Sequence, residues 1–337
     1  MGTRVTVEDV ARHAGVSIAT VSRAINESHM LAKATYDRVM DSVEKLGFTP
    51  TPAARNLRQQ KTQNIALVVP SILNPFFPEL VSAVHSAVSE QGYSLLLVDS
   101  NKSEQEALRI ANSRIADGVL LVGSTSSHPL RRSIENMNIP IVALDRAPTE
   151  LGATVVQTTN VRGAREVVEH LIEQGHTEIA HITGPAGLSV AEQRTDGYRQ
   201  ALEGNGVKFR PDLVIAGDFS ENSGAEAAMQ LIESGALFSA IFAANDTQAI
   251  GVLAALRRHR IRVPDEVAVA GFDGINLSNY VNPALTTYEQ PVGEIAKYAA
   301  NLLLQRLAGE ASDTGDVIKL PGKLIIREST DREGSRL

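Results

Sequence analysis

The sequence predicts an α/β protein with a small helical head, and three observations carry that prediction. Apolar residues recur at helical spacing in three short blocks between Thr6 and Gly47. A joint, Thr49-Pro50-Thr51-Pro52, then interrupts the pattern, because proline cannot continue a helix. From Asn64 onward, near-continuous apolar runs (IALVVP, YSLLLVD, GVLLVG, IPIVALD) alternate with amphipathic stretches such as PELVSAVHSAVSEQG. That alternation marks parallel strands with crossover helices, since a parallel sheet is covered on both faces and its strands read as solid Val, Ile and Leu. The rhythm resumes after Ala153 in EIAHITG, LVIAGD, SAIFAAND and EVAVAGFD, so two doubly wound parallel-sheet halves of similar size are expected. In such sheets ligands bind beyond the carboxyl ends of the strands.

In the head, Thr6 stands three residues before Asp9, a start that resembles a capping box, and Val7, Val10 and Ala11 give the first helix an inward stripe that stops at Gly15. Ser17 can cap a second helix, Ile18 to Ile25, which turns Val21 and Ala24 or Ile25 inward and leaves Ile18, Ala19, Ser22 and Arg23 outward. A third helix, from about Lys33 to Leu46, sets Val39, Val43 and Leu46 on one face and stops at Gly47. After the joint, AARNLRQQK is too short for a stable helix in water and reads as a linker that orders against a partner.

Composition narrows the function classes. The 337 residues are 43% hydrophobic, enough to bury a sizeable core in two or three domains. A net charge of −7 argues against a protein that coats nucleic acid or anionic membrane by bulk charge. The charge is unevenly spread: residues 1–61 hold nine Lys/Arg and six Asp/Glu, net +3, leaving 23 against 33, net −10, for the remainder. There is no cysteine, no apolar run of membrane-spanning length and no signal-peptide pattern in MGTRVTVEDVARHAG, so a cytoplasmic protein without a membrane partner is expected. No phosphate-loop, dinucleotide or nucleophile-elbow motif is present, so neither an enzyme nor a cofactor is expected. His170, His176 and His181 straddle a helix end and a strand instead of sharing one face, and no metal site is expected.

A helix, a tight turn at Gly15-Val16 and a second helix with small residues on its packing face make a helix-turn-helix arrangement, whose second helix enters the major groove of DNA. The string VTVEDVARHAGVSIATVSRAIN, followed by the proline joint and NLRQQK, resembles the LacI/GalR family of transcription regulators, and the resemblance runs from Val5 to about Ile326. It implies a helix-turn-helix head over 1–49, a hinge segment with a hinge helix over 50–62, an effector-binding and dimerisation core over 63–330 resembling periplasmic binding proteins, and a tail over 331–337. Carried over by position, Ile18 and Ala19 face bases, and Arg23 reads a guanine edge, a bidentate contact worth about 1–3 kcal/mol of discrimination. Thr6, Ser17, Thr20, Ser22 and Asn26 hold phosphates, with a cap or packing role as the alternative for each hydroxyl. Leu57, flanked by Arg55, wedges into the minor groove at the centre of a palindromic operator with a CpG step. Ala32 departs from the Ser or Asn that many relatives place before the third helix. The implied partners are double-stranded operator DNA and a second copy of the chain, and the tail KLIIRESTDREGSRL has no leucine heptads for a larger assembly.

A second constellation follows the strands. Asn74-Pro75-Phe76-Phe77 comes after IALVVP, Asp145-Arg146 after IPIVAL and Asn245-Asp246 after IFAA, while AVAGF leads into Asp273. Arg194, Phe219 and Gln290 sit in AEQRTDGY, AGDFSEN and TTYEQPV. The chain has eight Phe and no Trp, so three Phe at these loop positions is a high proportion. Aromatic faces with amides and charged groups around the rim suit a neutral sugar, whose C–H faces are apolar and whose hydroxyls need paired donors and acceptors. Two Asp against two Arg cancel, which favours an uncharged ligand. The ribose-binding members of the resembled proteins carry this same residue set, which implies ribose as the effector, acting as an inducer. A nucleoside, another pentose or a hexose stays open, as does a corepressor role. Sugar is expected to close one half on the other and separate the hinge segments near Ala53 to Gln60.

Overall fold

A computed structural model describes residues 5–26, 31–48, 61–100, 103–123, 132, 134–146 and 153–331. Arg55 and Leu57 of the expected hinge lie outside the described residues, as do residues 332–337 of the tail and the side chain of Asn26. The chain divides into two compact units, residues 1–62 and 63–337.

The first unit holds α1 (Val7–Ala14), α2 (Ile18–Asn26) and α3 (Lys33–Leu46). The Thr6 hydroxyl accepts from the Asp9 amide at 3.3 Å while the Asp9 carboxylate accepts from the Thr6 amide at 3.0 Å, a reciprocal cap of two free helix-end donors. Gly15 closes α1 at φ +63°, a left-handed turn that favours glycine. Val10, Ala11, Ala14, Val21, Ala24 and Val39 are buried together, with Val43 and Leu46 against them. Ala32 precedes α3 without a side-chain cap. Thr6→Ala should cost about 1 kcal/mol of helix stability. The check is amide exchange in α1 of the full chain, expected to quicken about fivefold.

The second unit contains two sheets. The first joins β1 (Asn64–Val69), β2 (Ser94–Asp99), β3 (Gly118–Leu121), β4 (Ile141–Leu144), β5 (Val155–Thr158) and β11 (Val317–Leu320) in the order β2-β1-β3-β4-β5-β11, all parallel. Alternate residues face opposite sides: Ile65, Leu67, Val142 and Leu144 meet α4 (Phe76–Ser89) and α10 (Val292–Ala308), whereas Ala66, Val68, Val119 and Leu121 meet α5 (Glu104–Ala111). Coverage on both faces is why these strands carry no polar alternation.

The second sheet joins β6 (Ile179–Ile182), β7 (Val214–Ile215), β8 (Ala240–Ala243), β9 (Ala268–Asp273), β10 (Thr286–Glu289) and β12 (Lys323–Ile325) in the order β7-β6-β8-β9-β10-β12, parallel except for β12. α6 (Asn160–Glu173) and α7 (Ser189–Gly204) cover one face, α8 (Glu221–Glu233) and α9 (Asp246–Arg258) the other. The chain crosses between the halves after β5, after β10 and after β11. The apolar run LVIAGD forms only the two-residue β7 beside β6, because its Leu213 is taken up by the 3-10 turn at Pro211–Leu213.

The three histidines sit apart. His170 Nε2 lies 2.8 Å from Thr330 Oγ1 and His176 Nδ1 lies 2.9 Å from Ser239 Oγ. His181 is stacked between the Tyr198 and Phe242 rings, and its Nδ1 donates to the Phe242 carbonyl at 3.0 Å. Burial depresses its pKa from 6.5 to about 4. The unfolded chain binds this proton more readily, so the stability held by neutral His181 is present above pH 6.5 and is lost as pH falls toward about 4. The loss should reach about 3 kcal/mol, and denaturant melts of wild type and His181→Gln at pH 7 and pH 4.5 check it: the pH sensitivity should shrink in the variant. Among the described residues no group of three His, Asp or Glu could hold a metal ion.

Candidate effector site and nucleic-acid interface

The ten effector candidates converge on the carboxyl edges of the two sheets. From the first half, Asn74 Oδ1 accepts from the Phe76 amide at 3.0 Å and so starts α4, placing Phe77 in its first turn. Phe76 and Phe77 are therefore helical and buried, a correction to their expected loop position, and the reason is that turn-starting Asn74-Pro75 leads directly into α4. The two rings meet edge-on at 5.4 Å, and Phe77 is the one beneath Arg146. Asp145, immediately after β4, has φ +51° and lies 3.6 Å from its neighbour Arg146.

From the second half, Phe219 precedes α8 at φ +71° and Asp273 ends β9 at φ +117°. Non-glycine residues at such angles store backbone strain that the surroundings must hold, and they cluster at functional sites. Gly184 leaves the room Phe219 uses: a Cβ there would collide with its ring. Asn245 caps α9 by accepting from the Gln248 amide at 2.9 Å, and its amide donates to the Phe219 carbonyl at 3.1 Å. Both functional atoms of Asn245 are thereby committed to holding the loop.

The charged groups join the halves. The Arg146 guanidinium sits 4.8 Å from the Phe77 ring of one half and 4.7 Å from the Phe219 ring of the other, a cation between two aromatic faces. Arg194 is 3.0 Å from Asp273 Oδ1, donates to the Ala244 carbonyl at 2.7 Å and to Asn160 Oδ1 at 3.1 Å, and lies 3.9 Å from the Phe272 ring. Gln290 Nε2 donates to Asp273 Oδ1 at 2.8 Å. Burial pushes both carboxyls up; the Arg146 and Arg194 charges oppose this at Asp145, and at Asp273 Arg194 opposes it while Asp145 reinforces it. Burial likewise lowers Arg146, with Asp145 and Asp273 opposing.

Two acceptors stand out. Asp145 Oδ1 and Gln290 Oε1 are buried and find no donor among the described residues. Buried polar atoms are nearly always paired, so these two leave acceptor capacity unused. Asn160 and Phe272 are participants without a sequence signal of their own, and Asp246, placed by the sequence after IFAA, has a role there that the sequence did not assign. Asn160 is the first residue after the β5 crossing, and the other two each adjoin a candidate, Asp246 next to Asn245 and Phe272 next to Asp273.

On the head, Ile18, Ala19 and Arg23 are exposed along the outer face of α2. Ser17 accepts from the Thr20 amide at 3.1 Å and its hydroxyl meets that of Thr20 at 2.9 Å. Thr6 and Ser17 are thus local caps that are still exposed, and Thr20 and Ser22 are partly buried.

Residues 6–51 match the family model of bacterial regulatory proteins of the lacI family, and residues 168–330 match that of the periplasmic binding protein-like domain. The chain is 36% identical over 328 residues to a ribose operon repressor of Halalkalibacterium halodurans, covering 96% of this chain and 97% of that one. The chain belongs to the LacI family. It is a DNA-binding transcriptional repressor of that family and not an enzyme. The HTH-type transcriptional repressor CytR of Escherichia coli is 35% identical over 334 residues, covering 97% of each chain. The lac repressor dimer bound to operator and the anti-inducer ONPF superposes with a TM-score of 0.89 at 27% identity, over 97% of this chain and 99% of that one. This LacI-family chain has, among its described residues, no helix long and apolar enough to cross a membrane.

Proposed function

We propose that this LacI-family repressor acts in the cytoplasm as a homodimer on a palindromic operator and is released by ribose. The pair of unpartnered buried acceptors, Asp145 Oδ1 and Gln290 Oε1, beside the Phe77 and Phe219 rings carries the ligand reading. A furanose or pyranose ring stacks on phenyl faces while its hydroxyls donate to these oxygens and to Asp273, and the balanced charges of Asp145, Arg146, Arg194 and Asp273 suit a ligand without net charge. Arg146, reaching both Phe77 and Phe219, couples the ligand to closure of the halves. The likeness to a ribose operon repressor supports ribose within the sugar class.

On DNA, Arg23, Ile18 and Ala19 read bases from the outer face of α2, and Thr6, Ser17, Thr20, Ser22 and Asn26 hold phosphates. Arg55 and Leu57 enter the minor groove at the operator centre. Ribose must bind the released state better than the operator-bound state, a differential commonly worth about 1–3 kcal/mol. Calorimetric titration with ribose, a nucleoside and galactose tests the ligand. Ribose should bind most tightly; binding of the nucleoside alone would replace ribose as the effector.

A further inference from the structure

The fully buried carboxylate of Asp246 lies behind the site, and its connections reach both halves. Its Oδ2 accepts from the Gly274 amide at 2.9 Å, the Ile275 amide at 2.9 Å and the Ser278 hydroxyl at 2.7 Å, while Oδ1 accepts from the Thr287 hydroxyl at 2.5 Å. Four donors converge on one carboxylate, and no acceptor does, so an acceptor-only group is what this position requires. Gly271 on β9 is part of the same fit, since a Cβ there would strike Asp246 Oδ1.

The turn that Asp246 holds begins at Asp273, whose φ of +117° needs a rigid support, and Gly274 follows at φ +74°. At its other end the turn is seated on the first half. Ile275 is buried in the apolar cluster of Phe76, Phe77 and Leu80, and the Asn276 amide donates to Glu79 Oε1 on α4 at 2.8 Å. A continuous path therefore runs from Asp273 through the Asp246-bound turn to α4, the helix that carries Phe77. Both the ligand-facing carboxylate and one aromatic wall are referenced to the same buried group.

We propose that Asp246 is a positioning residue for effector binding, fixing through the Gly274–Ser278 turn both the orientation of Asp273 and the seating of the second half on α4. This rests on the reading of the site as a sugar-binding site. The charge matters as well as the shape. Burial, then the neighbouring Asp273 charge, push the Asp246 pKa up to about 7, against the bonds from Thr287, Ser278 and Ile275. The charged groups around it are Asp273 with its partner Arg194, Asp145 and Arg146 beyond them, Glu289 against Gly274 with Lys323 at 3.2 Å, and Glu79 on the turn. Protonation leaves one Asp246 oxygen a donor where donors already point, so the turn should loosen and ribose affinity fall as pH drops through about 7.

The test compares full-length wild type and Asp246→Asn by ribose calorimetry from pH 5.5 to 8.5, together with amide exchange of the segment 274–279 without sugar. At pH 8.5 the variant should bind ribose about tenfold more weakly, the loss expected for one charge-assisted hydrogen bond. The wild-type profile should bend near pH 7 and the variant should lack that bend. A packing role alone would not move this profile. Segment 274–279 should exchange faster in the variant while the β1 and β8 amides stay unchanged. Equal affinity at pH 8.5 together with an unchanged profile would overturn the proposal. If wild type ignores ribose, the ligand reading fails separately, and the exchange of 274–279 decides: unchanged protection there overturns the role of Asp246. If Asp246→Asn does not fold, Ser278→Ala, which removes one donor, should show the same pattern at about threefold, and no effect from it counts against the proposal.

Discussion

Asp273→Asn is expected to give a protein that binds its operator normally and no longer responds to ribose, with ribose affinity down thirty- to hundredfold. Asp273 is buried, ion-paired to Arg194 at 3.0 Å and bonded by Gln290 at 2.8 Å. Both contacts fall on Oδ1, and the charge of Asp145, whose Oδ1 like Gln290 Oε1 lacks a donor among the described residues, acts on the same carboxyl. Replacing a charged acceptor by a neutral one that can also present the wrong atom should cost about 2–3 kcal/mol of binding. Asparagine is the informative substitution because it keeps the shape. Alanine would leave the buried Arg194 charge without its carboxylate, a loss of about 3–5 kcal/mol that mixes folding with binding. Arg194 retains the Ala244 carbonyl and Asn160 in the asparagine variant, which limits the effect on the fold. Calorimetry reads the sugar affinity and fluorescence anisotropy of a labelled operator reads the DNA affinity; near-normal ribose binding would remove Asp273 from the site.

Arg23→Ala should have the largest effect on DNA. Arg23 is exposed on α2, so its removal carries little folding cost. Loss of a bidentate guanine contact is worth about 1–3 kcal/mol per half-site, and a dimer on a palindrome loses two of them. Operator affinity should therefore fall between about thirtyfold and twenty-thousandfold, with relaxed preference at one base pair in each half-site. The salt dependence should stay close to wild type, because a base contact releases fewer counterions than a phosphate contact. Binding isotherms on operators varied at each position check this. Uniform weakening with a shallower salt slope would reassign Arg23 to a phosphate.

The elements most legible in the sequence were those set by local rules. The Thr6–Asp9 cap, the stops at Gly15 and Gly47 and the inward Val10, Val21 and Val39 depend on spacing alone, and the structure contains each. The parallel strands were legible because coverage on both faces demands unbroken apolar runs; LVIAGD gave only Val214 and Ile215 as strand because Leu213 is taken up by the preceding 3-10 turn. The effector candidates could be gathered because α/β sheets place ligands at strand ends, yet their division of labour could not be read. Asn74 and Asn245 spend side-chain atoms on helix starts and on the Phe219 loop. Asn160 and Asp246 act through contacts to residues 34 and 41 positions away, distances at which sequence carries no periodic signal.

The measurement that bears most directly on the function is anisotropy of a labelled operator, selected from random duplexes by the full-length protein, titrated with that protein with and without saturating ribose. The account predicts tight binding without sugar and at least about tenfold weaker binding with it, the lower range of a typical allosteric coupling. Operator affinity that ribose leaves unchanged, or strengthens, would contradict it.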